Sequence, residues 1–354
     1  MSDETAPGGL ATIHRDAYVV EGHRDCYEQI HWQNMGEENP VRDRLLPRLD
    51  AGGVDLVVYS VGGDSIAHSN GRDKKLLATI ENLENLRRSR EAMTPPSPVV
   101  LCGADIPDSP DGRVRFLLHL EGGSPLEGSM MALEALFELG VRSMQPTWNL
   151  RNELGDGVRE RHTSGGLTAF GVAVVTRMEQ LGMVIDLAHM SEPGFWHALE
   201  VTNGPVIVSH ANSRAVYDHP RNLGDDQVRA IAERGGVVGI HTLPTFTGAG
   251  EPTIEDLVRH VEHFVEVAGI EHVAFGGDFV ACDGPRPSRE ALFHDPRHAP
   301  PTLEGLQEAH DLPNFTRALL ERGFADKEVR AILGANYQRV LREVLPAGTS
   351  GSQP

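Results

Sequence analysis

Two apolar runs that end in histidine decide the fold: Met183-Val-Ile-Asp-Leu-Ala-His189 and Pro205-Val-Ile-Val-Ser-His210. Short runs of this composition are typical of buried strands, and the segment between them, 191–203, has a helical pattern. Strands joined by a helix form a βαβ unit, so the two strands are predicted to lie parallel with both histidines at the same edge. Histidines at that edge lie where α/β barrels have their active sites, at the carboxyl ends of the strands.

The same alternation of strand and helix extends along the chain. Apolar runs predict six further strands, at 17–20, 54–61, 114–120, 141–147, 237–241 and 272–278. Eight βα units are typical of an α/β fold that forms a single (β/α)8 barrel of the TIM type. We therefore predict a barrel domain over residues 17–345, an N-terminal arm at 1–16 and a disordered tail at 346–354.

The composition limits the classes of partner. The chain has 354 residues and a formal net charge of −19, which argues against nucleic acid and anionic membrane surfaces. There is no run of about 18 apolar residues that would predict a membrane span, and residues 1–10 show no signal peptide. The three cysteines lie far apart in sequence and give no disulfide framework. We predict a cytoplasmic protein that acts on a small molecule.

Histidines and carboxylates follow the predicted strands at the edge where the strand ends converge. They are His23 and Asp25 after the first strand, Glu121 after the third, His189 and His210 after the fifth and sixth, and Asp278 after the eighth. In a closed barrel these three carboxylates and three imidazoles would share one cup. Such a set is large enough for two metal ions about 3.5–4 Å apart with a bridging carboxylate. Glu121 is the natural bridge, since it lies between the two pairs in chain order.

Other polar residues receive weaker interpretations. His241 ends the seventh strand and is predicted to face the cup, where it would contact substrate. Asp186, three residues before His189, is expected to orient the strand end and not to bind metal. His260 and His263 lie on an acidic helix and are interpreted as solvated side chains.

The motifs around these residues closely resemble those of the membrane (renal) dipeptidase family of zinc metallopeptidases. The resemblance extends from about residue 17 to 345, and its motifs include Glu21-Gly-His-Arg-Asp25, Leu120-Glu-Gly-Gly123, Leu181-Gly-Met-Val-Ile-Asp-Leu-Ala-His189, His219-Pro-Arg-Asn222 and Gly276-Gly-Asp-Phe279. It implies a (β/α)8 barrel with a binuclear zinc site that hydrolyses dipeptides, and a homodimeric assembly.

The resemblance also implies a role for each matching residue. His23 and Asp25 would hold one zinc ion, His189 and His210 the other, and Glu121 both; Asp278 would pass the proton and face the substrate amino group, and Arg221 would bind the substrate carboxylate, with Asn222 beside it. A guanidinium suits that task, because its two donors pair with both carboxylate oxygens. We expect two Zn²⁺ ions, with another divalent metal such as manganese as the alternative.

One residue departs from the family motif. Pro146-Thr-Trp-Asn149 stands where the family carries Thr-His-Asn, so Trp148 replaces a histidine that contacts the substrate carbonyl oxygen. An indole has one N–H donor, no titratable proton and more bulk than an imidazole. Three interpretations stay open: a dipeptide-like substrate that stacks on Trp148, a tailoring enzyme of a biosynthetic pathway with different chemistry at the same centre, or a non-catalytic relative that retains metal.

Overall fold

Eight parallel strands form a barrel in the computed structural model, which describes residues 9–160, 162–163, 165–279 and 302–348. The strands are β1 (Val19–Asp25), β2 (Val54–Gly63), β3 (Arg115–Glu121), β4 (Val141–Gln145), β5 (Val184–Ile185), β6 (Ile207–Ala211), β7 (Val237–His241) and β8 (Val273–Gly277). Their order is β5-β4-β3-β2-β1-β8-β7-β6, and a parallel bridge between Asp186 and Ile207 connects the two ends. The predicted (β/α)8 barrel is confirmed.

Helices connect the strands and cover the outside of the barrel. They are α1 (Leu10–Asp16), α2 (Tyr27–Asn34), α3 (Leu46–Ala51), α4 (Lys75–Glu91), α5 (Met130–Glu138), α6 (Ala169–Leu181), α7 (Glu192–Val201), α8 (Asp225–Glu233), α9 (Pro244–Thr247), α10 (Ile254–Ala268), α11 (Leu312–Glu321), α12 (Asp326–Arg330) and α13 (Asn336–Val344). Hydroxyl side chains begin three of them, since Thr168 accepts from Gly171 N at 3.0 Å, Ser191 from Gly194 N at 3.2 Å and Thr253 from Asp256 N at 3.4 Å. Among the described residues, no helix combines the length and apolar composition needed to cross a membrane.

The barrel interior is apolar at the end opposite the strand carboxyl termini. One buried cluster takes residues from β1, β2, β3, β5, β6, β7 and β8 and joins them to Tyr337, Val340 and Leu341 of α13. The Tyr337 hydroxyl donates to the Ser209 carbonyl oxygen at 3.1 Å. Gly22 is required next to this ring, because a Cβ at that position would lie 2.8 Å from Tyr337 Cζ. This cluster, which we call the barrel floor, closes one end of the fold.

Strand β5 is shorter than the predicted run 183–189. It contains two residues, Val184 and Ile185. From Asp186 onward, hydrogen bonds to the Asp186 carboxylate replace the regular backbone hydrogen bonds between strands. Asp186 accepts from Ala188 N at 3.0 Å, from Ser209 N at 2.9 Å and from Gln145 Nε2 at 3.0 Å. The carboxylate thereby ties the segments that carry His189 and His210 together, which is the orienting role expected for it.

The predicted domain limits stay predictions. Residues 1–8 and 349–354 lie outside the described residues, and α1 occupies most of the rest of the predicted arm. Ile13 of α1 is buried in the large hydrophobic core together with α11 and α12 side chains such as Phe315 and Val329. Cys282, one of the three cysteines, also lies outside the described residues.

Candidate metal centre

The carboxyl ends of the strands bring the predicted ligands into one buried group. His23 Nε2 lies 3.5 Å from Asp25 Oδ1 and 3.6 Å from Glu121 Oε1. His189 Nε2 lies 3.2 Å from the same Glu121 oxygen and 2.9 Å from His210 Nε2. Glu121 is therefore in reach of both pairs, as its place in the chain order predicted.

Hydrogen bonds occupy the outer nitrogens of two histidines, and their inner nitrogens face each other. His189 Nδ1 pairs with Asn149 Oδ1 at 2.8 Å, and His210 Nδ1 pairs with Ser209 Oγ at 2.8 Å. Histidines that bind metals commonly use the second ring nitrogen in this way, which fixes the ring and its tautomer. Both Nε2 atoms consequently point into the group.

The charges of the site also fit a bound cation. Burial, together with the negative charges of Asp25 and Asp278, raises the pKa of Glu121 well above its ordinary value. Burial and the neighbouring positive groups Arg221 and His23 lower the pKa of His189 and His210 well below the ordinary value. The neutral imidazoles of His189 and His210 suit a divalent cation, which binds deprotonated ligands, and a cation between the carboxylates would offset their mutual repulsion.

Unpartnered buried nitrogens give a further test of this fit. Among the described residues, neither ring nitrogen of His23 has a hydrogen-bond partner, although the side chain is fully buried. Buried polar groups are rarely left in this state, and an ion is one of the ordinary explanations. Ligand atoms of His23, Glu121 and His210 lie within 4.8 Å of one another, as do those of His23, Asp25 and Asp278. The residues present therefore suit a metal centre.

Two of the site residues have left-handed backbones. His189 has a φ of +65° and Asp278 a φ of +69°, a conformation that residues with a Cβ adopt uncommonly. Asp278 follows β8, where its N–H donates to the His23 carbonyl oxygen at 3.0 Å. Its Oδ2 lies 2.8 Å from His241 Nε2. His241 is buried, and it faces the cup as predicted, with the Asp278 carboxylate as its partner.

Arg221 lies beyond the histidine pair and is buried. Its Nη2 donates to the His210 carbonyl oxygen at 2.9 Å, whereas its Nε has no partner among the described residues. Burial lowers the pKa of Arg221 to about 10, so the guanidinium is charged at neutral pH. A cavity of about 230 Å³ opens beside it, with His189, Met190, Phe195 and Asn222 in its wall.

Asn222 uses its side-chain amide to hold the loop beside this cavity. Its Nδ2 donates to the carbonyl oxygens of Tyr217 and Phe246, each at 2.9 Å. Its Oδ1 is buried without a partner in the described residues. The amide therefore holds the loop that carries Arg221 and leaves one acceptor over.

Trp148 lies at the edge of the group and is half-buried. Its ring centroid is 5.9 Å from that of His189. Its backbone N–H donates to Asp64 Oδ2 at 2.9 Å, and the same carboxylate accepts from Ser124 N at 2.8 Å and from Asn152 Nδ2 at 2.9 Å. Asp64 thus fixes the loop that carries the indole, and no spacing in the sequence indicated this role.

Two histidines occupy places that the sequence did not predict. His68, in the loop after β2, lies 3.0 Å from Asp25 Oδ1 through its Nε2. His260, interpreted as solvated, is fully buried: its Nδ1 accepts from Ser213 N at 3.0 Å and its Nε2 donates to Thr247 O at 2.9 Å. That interpretation was wrong for His260, because the loop after β6 covers this face of α10. His263 is partly exposed and bonds to Asp225.

Comparisons with known proteins agree with this arrangement. The sequence pattern of the family described as Membrane dipeptidase (Peptidase family M19) matches residues 10–351. A Klebsiella pneumoniae protein, described as an uncharacterized protein in the pqqA 5' region, is 31% identical over 255 residues, covering 69% of this chain and 88% of that protein.

Solved structures show the same fold. An amidohydrolase from Pseudomonas aeruginosa superposes with a TM-score of 0.78 at 25% identity, covering 95% of this chain and 99% of that chain. A metallopeptidase from Rhodobacter sphaeroides, bound to a phosphinate mimic of the dipeptide L-Ala-D-Ala, superposes with a TM-score of 0.79 at 22% identity, covering 93% of this chain and 99% of that chain.

The barrel and its ligand group define a metal-dependent hydrolase. Since the family pattern spans nearly the whole sequence, the chain belongs to the membrane dipeptidase family.

Proposed function

We propose that this protein is a binuclear zinc hydrolase that cleaves the amide bond of a dipeptide, or of a dipeptide-like small molecule with a free carboxylate. The observation that supports this most directly is the position of Glu121, within 3.6 Å of His23 Nε2 and 3.2 Å of His189 Nε2. One carboxylate in reach of two histidine-containing pairs suits two ions. When bound, two such ions would polarise the carbonyl group and supply hydroxide near neutral pH.

Arg221 is the group proposed to hold the substrate carboxylate. It lines the same cavity as His189, so a substrate that reaches the metal centre can place its terminal carboxylate against the guanidinium. The unpartnered Nε adds a donor for that carboxylate. A buried guanidinium paired with a carboxylate makes strong, oriented hydrogen bonds.

Asp278 is the group proposed to move the proton. One of its oxygens is occupied by His241 Nε2 at 2.8 Å, which leaves the other to accept a proton from the attacking water. The C–O bond forms in this attack, and Asp278 then gives the proton to the leaving amine as the C–N bond breaks. His241 holds the carboxylate in place for both transfers.

Trp148 favours a second candidate within the same chemistry. An indole 5.9 Å from the His189 ring offers an apolar surface at the edge of the site. A tailoring enzyme that acts on a larger, non-standard amide would use such a surface, since aromatic side chains bury much area at little entropic cost. A cytoplasmic location and a homodimeric assembly stay predictions from the sequence.

Turnover of a dipeptide panel at fixed zinc concentration would test the proposal. We expect hydrolysis that a chelator abolishes and that added zinc restores, and Asp278→Asn should lose it at unchanged metal content. Peptide amides without a free carboxylate are the matched substrates, and they should be cleaved poorly. A protein that contains two ions but cleaves no member of the panel would contradict a dipeptidase, and turnover of larger amides alone would favour the tailoring enzyme.

A further inference from the structure

His68 lies beside the metal centre with its side chain almost fully buried. Its Nε2 is 3.0 Å from Asp25 Oδ1 and 3.1 Å from Ser60 Oγ. The Ser60 hydroxyl donates its own proton to the Gly62 carbonyl oxygen at 3.1 Å, so towards His68 it can only accept. Both partners of Nε2 are therefore acceptors, and the ring carries its proton on Nε2, directed at Asp25.

The surroundings of His68 fix the ring in this position. Its backbone N–H donates to the Ser65 carbonyl oxygen at 3.2 Å. The side chain of Asn82, a buried residue of α4, donates to the carbonyl oxygens of His68 at 2.9 Å and Val61 at 3.0 Å. The Tyr27 ring packs on the imidazole with centroids 4.7 Å apart. Contacts from α2, from α4 and from the turn at Ser65 thus fix the position of the His68 N–H donor.

We propose that His68 is a positioning residue of the metal centre: its Nε2–H holds the Asp25 carboxylate so that the His23/Asp25 pair can bind its ion. This inference rests on the two-metal site of the proposed function. The other half of the centre has its own supports, since Asn149 and Ser209 hold His189 and His210. Because the two sets of supports are separate, loss of His68 should weaken one ion and leave the other.

Metal titration of the metal-free protein would test this. With Zn²⁺ and a competing chelator, His68→Ala should bind one of its two ions about 10–100-fold more weakly, the usual effect of removing such a support. His68→Gln keeps an amide N–H of similar reach and should retain most of the affinity. His14→Gln is the matched control, because His14 is a buried histidine that bonds to Thr316 and Gly52, remote from the ligands; it should bind both ions as the native protein does.

Substitution with Co²⁺ gives a second readout that does not depend on activity. The visible absorption of one bound ion should change in His68→Ala, and the spectrum of His14→Gln should match that of the native protein. Melting of the metal-free variants would show whether each is folded, and if the alanine variant is not, the comparison of His68→Gln with His14→Gln carries the test.

Three results would overturn the inference: unchanged affinity for both ions in His68→Ala, equal weakening of both ions, or a loss in His68→Gln as large as in His68→Ala. The titration contains no peptide, so it is independent of the substrate. If the variants behave as expected and no dipeptide is cleaved, the proposed function fails while the role of His68 stands.

Discussion

The two ends of the barrel bury side chains of opposite character. At the floor, Leu56, Val184 and Ile207 pack with Tyr337, whose one polar atom has a partner at 3.1 Å. At the metal centre, three carboxylates lie together with His23, His68, His189, His210 and His241, and both nitrogens of His23 lack hydrogen-bond partners among the described residues. The floor is what hydrophobic burial favours, whereas the metal centre is costly for the chain by itself.

This difference separates the residues that stabilise the fold from those that serve its chemistry. Buried charges without a counter-ion lower stability, and the raised pKa of Glu121 reflects that cost in the metal-free chain. A bound cation would offset this cost, because a ligand that binds the folded state more tightly than the unfolded state stabilises the fold. Substitutions at the floor should consequently lower the folding free energy, whereas substitutions at the metal centre should lower metal binding and activity.

Removal of Glu121 should have the largest effect on function. Glu121→Ala takes a ligand from both pairs, so we expect both ions to be lost together and hydrolysis with them. Elemental analysis after dialysis at defined free zinc would measure this. A native protein with one ion per chain, or a variant that keeps two, would contradict the shared ligand. Glu121→Gln removes the crowded charge at constant volume, so its metal-free form should unfold at no lower temperature than the native metal-free protein.

Leu56→Ala is the matched control at the floor. It should cost about 2–5 kcal/mol of folding free energy, as cavities in packed cores do, and the folded fraction should keep both ions and its turnover per site. If Leu56→Ala lost metal as readily as Glu121→Ala does, the two ends would not be separable in this way.

The strand pattern and the strand-end residues could be predicted from the sequence because both follow from periodicity. A strand that is buried on both faces is apolar throughout, and the residue where it ends must lie at the carboxyl edge of the barrel. This reasoning is why the sequence alone places His23, Glu121 and His210 together. The position of Glu121 between the two pairs was inferred from chain order in the same way, and its role as a shared ligand stays a prediction.

The supports of the site could not be predicted, because they depend on the paths of loops. His68 contacts Asp25 because the turn after β2 brings it there. The Asp64 side chain joins its own loop to the loops after β3 and β4 by accepting from the backbone N–H groups of Ser124 and Trp148. His260 has the sequence context of a solvated helix position, yet the loop after β6 covers it. The length of β5 was overestimated for a related reason, since the Asp186 side chain replaces ladder bonds that a pattern of apolar residues cannot reveal.

The effect of Arg221 on substrate binding should be the next largest. Arg221→Ala should lower kcat/KM for a dipeptide by an amount worth about 2–5 kcal/mol, as expected when one partner of a buried charge pair is truncated. Arg221→Lys should restore only part, because an ammonium group cannot make the paired hydrogen bonds of a guanidinium. A carboxyl-free analogue should show no comparable loss. Equal losses on both substrates would instead indicate a structural role through the His210 carbonyl oxygen.

The smallest and most informative effect is expected at Trp148, the position at which the family motif carries histidine. We expect the native protein to be a poor hydrolase of small dipeptides with its metal site filled. Trp148→His should raise that activity, because it restores a donor where negative charge develops and removes bulk beside His189. Its gain should fall short of the roughly 10²–10³-fold that such donors contribute elsewhere, since Asp64 holds residue 148 through its backbone N–H, a contact that does not orient the new ring. The same variant should lose activity on a larger substrate that packs on the indole.

The measurement is kcat/KM for a dipeptide panel in both proteins at equal metal content, with Trp148→Phe as the control that keeps an aromatic surface without a donor. Efficient cleavage of common dipeptides by the native protein, or loss of all activity in Trp148→His, would show that Trp148 does not select the substrate.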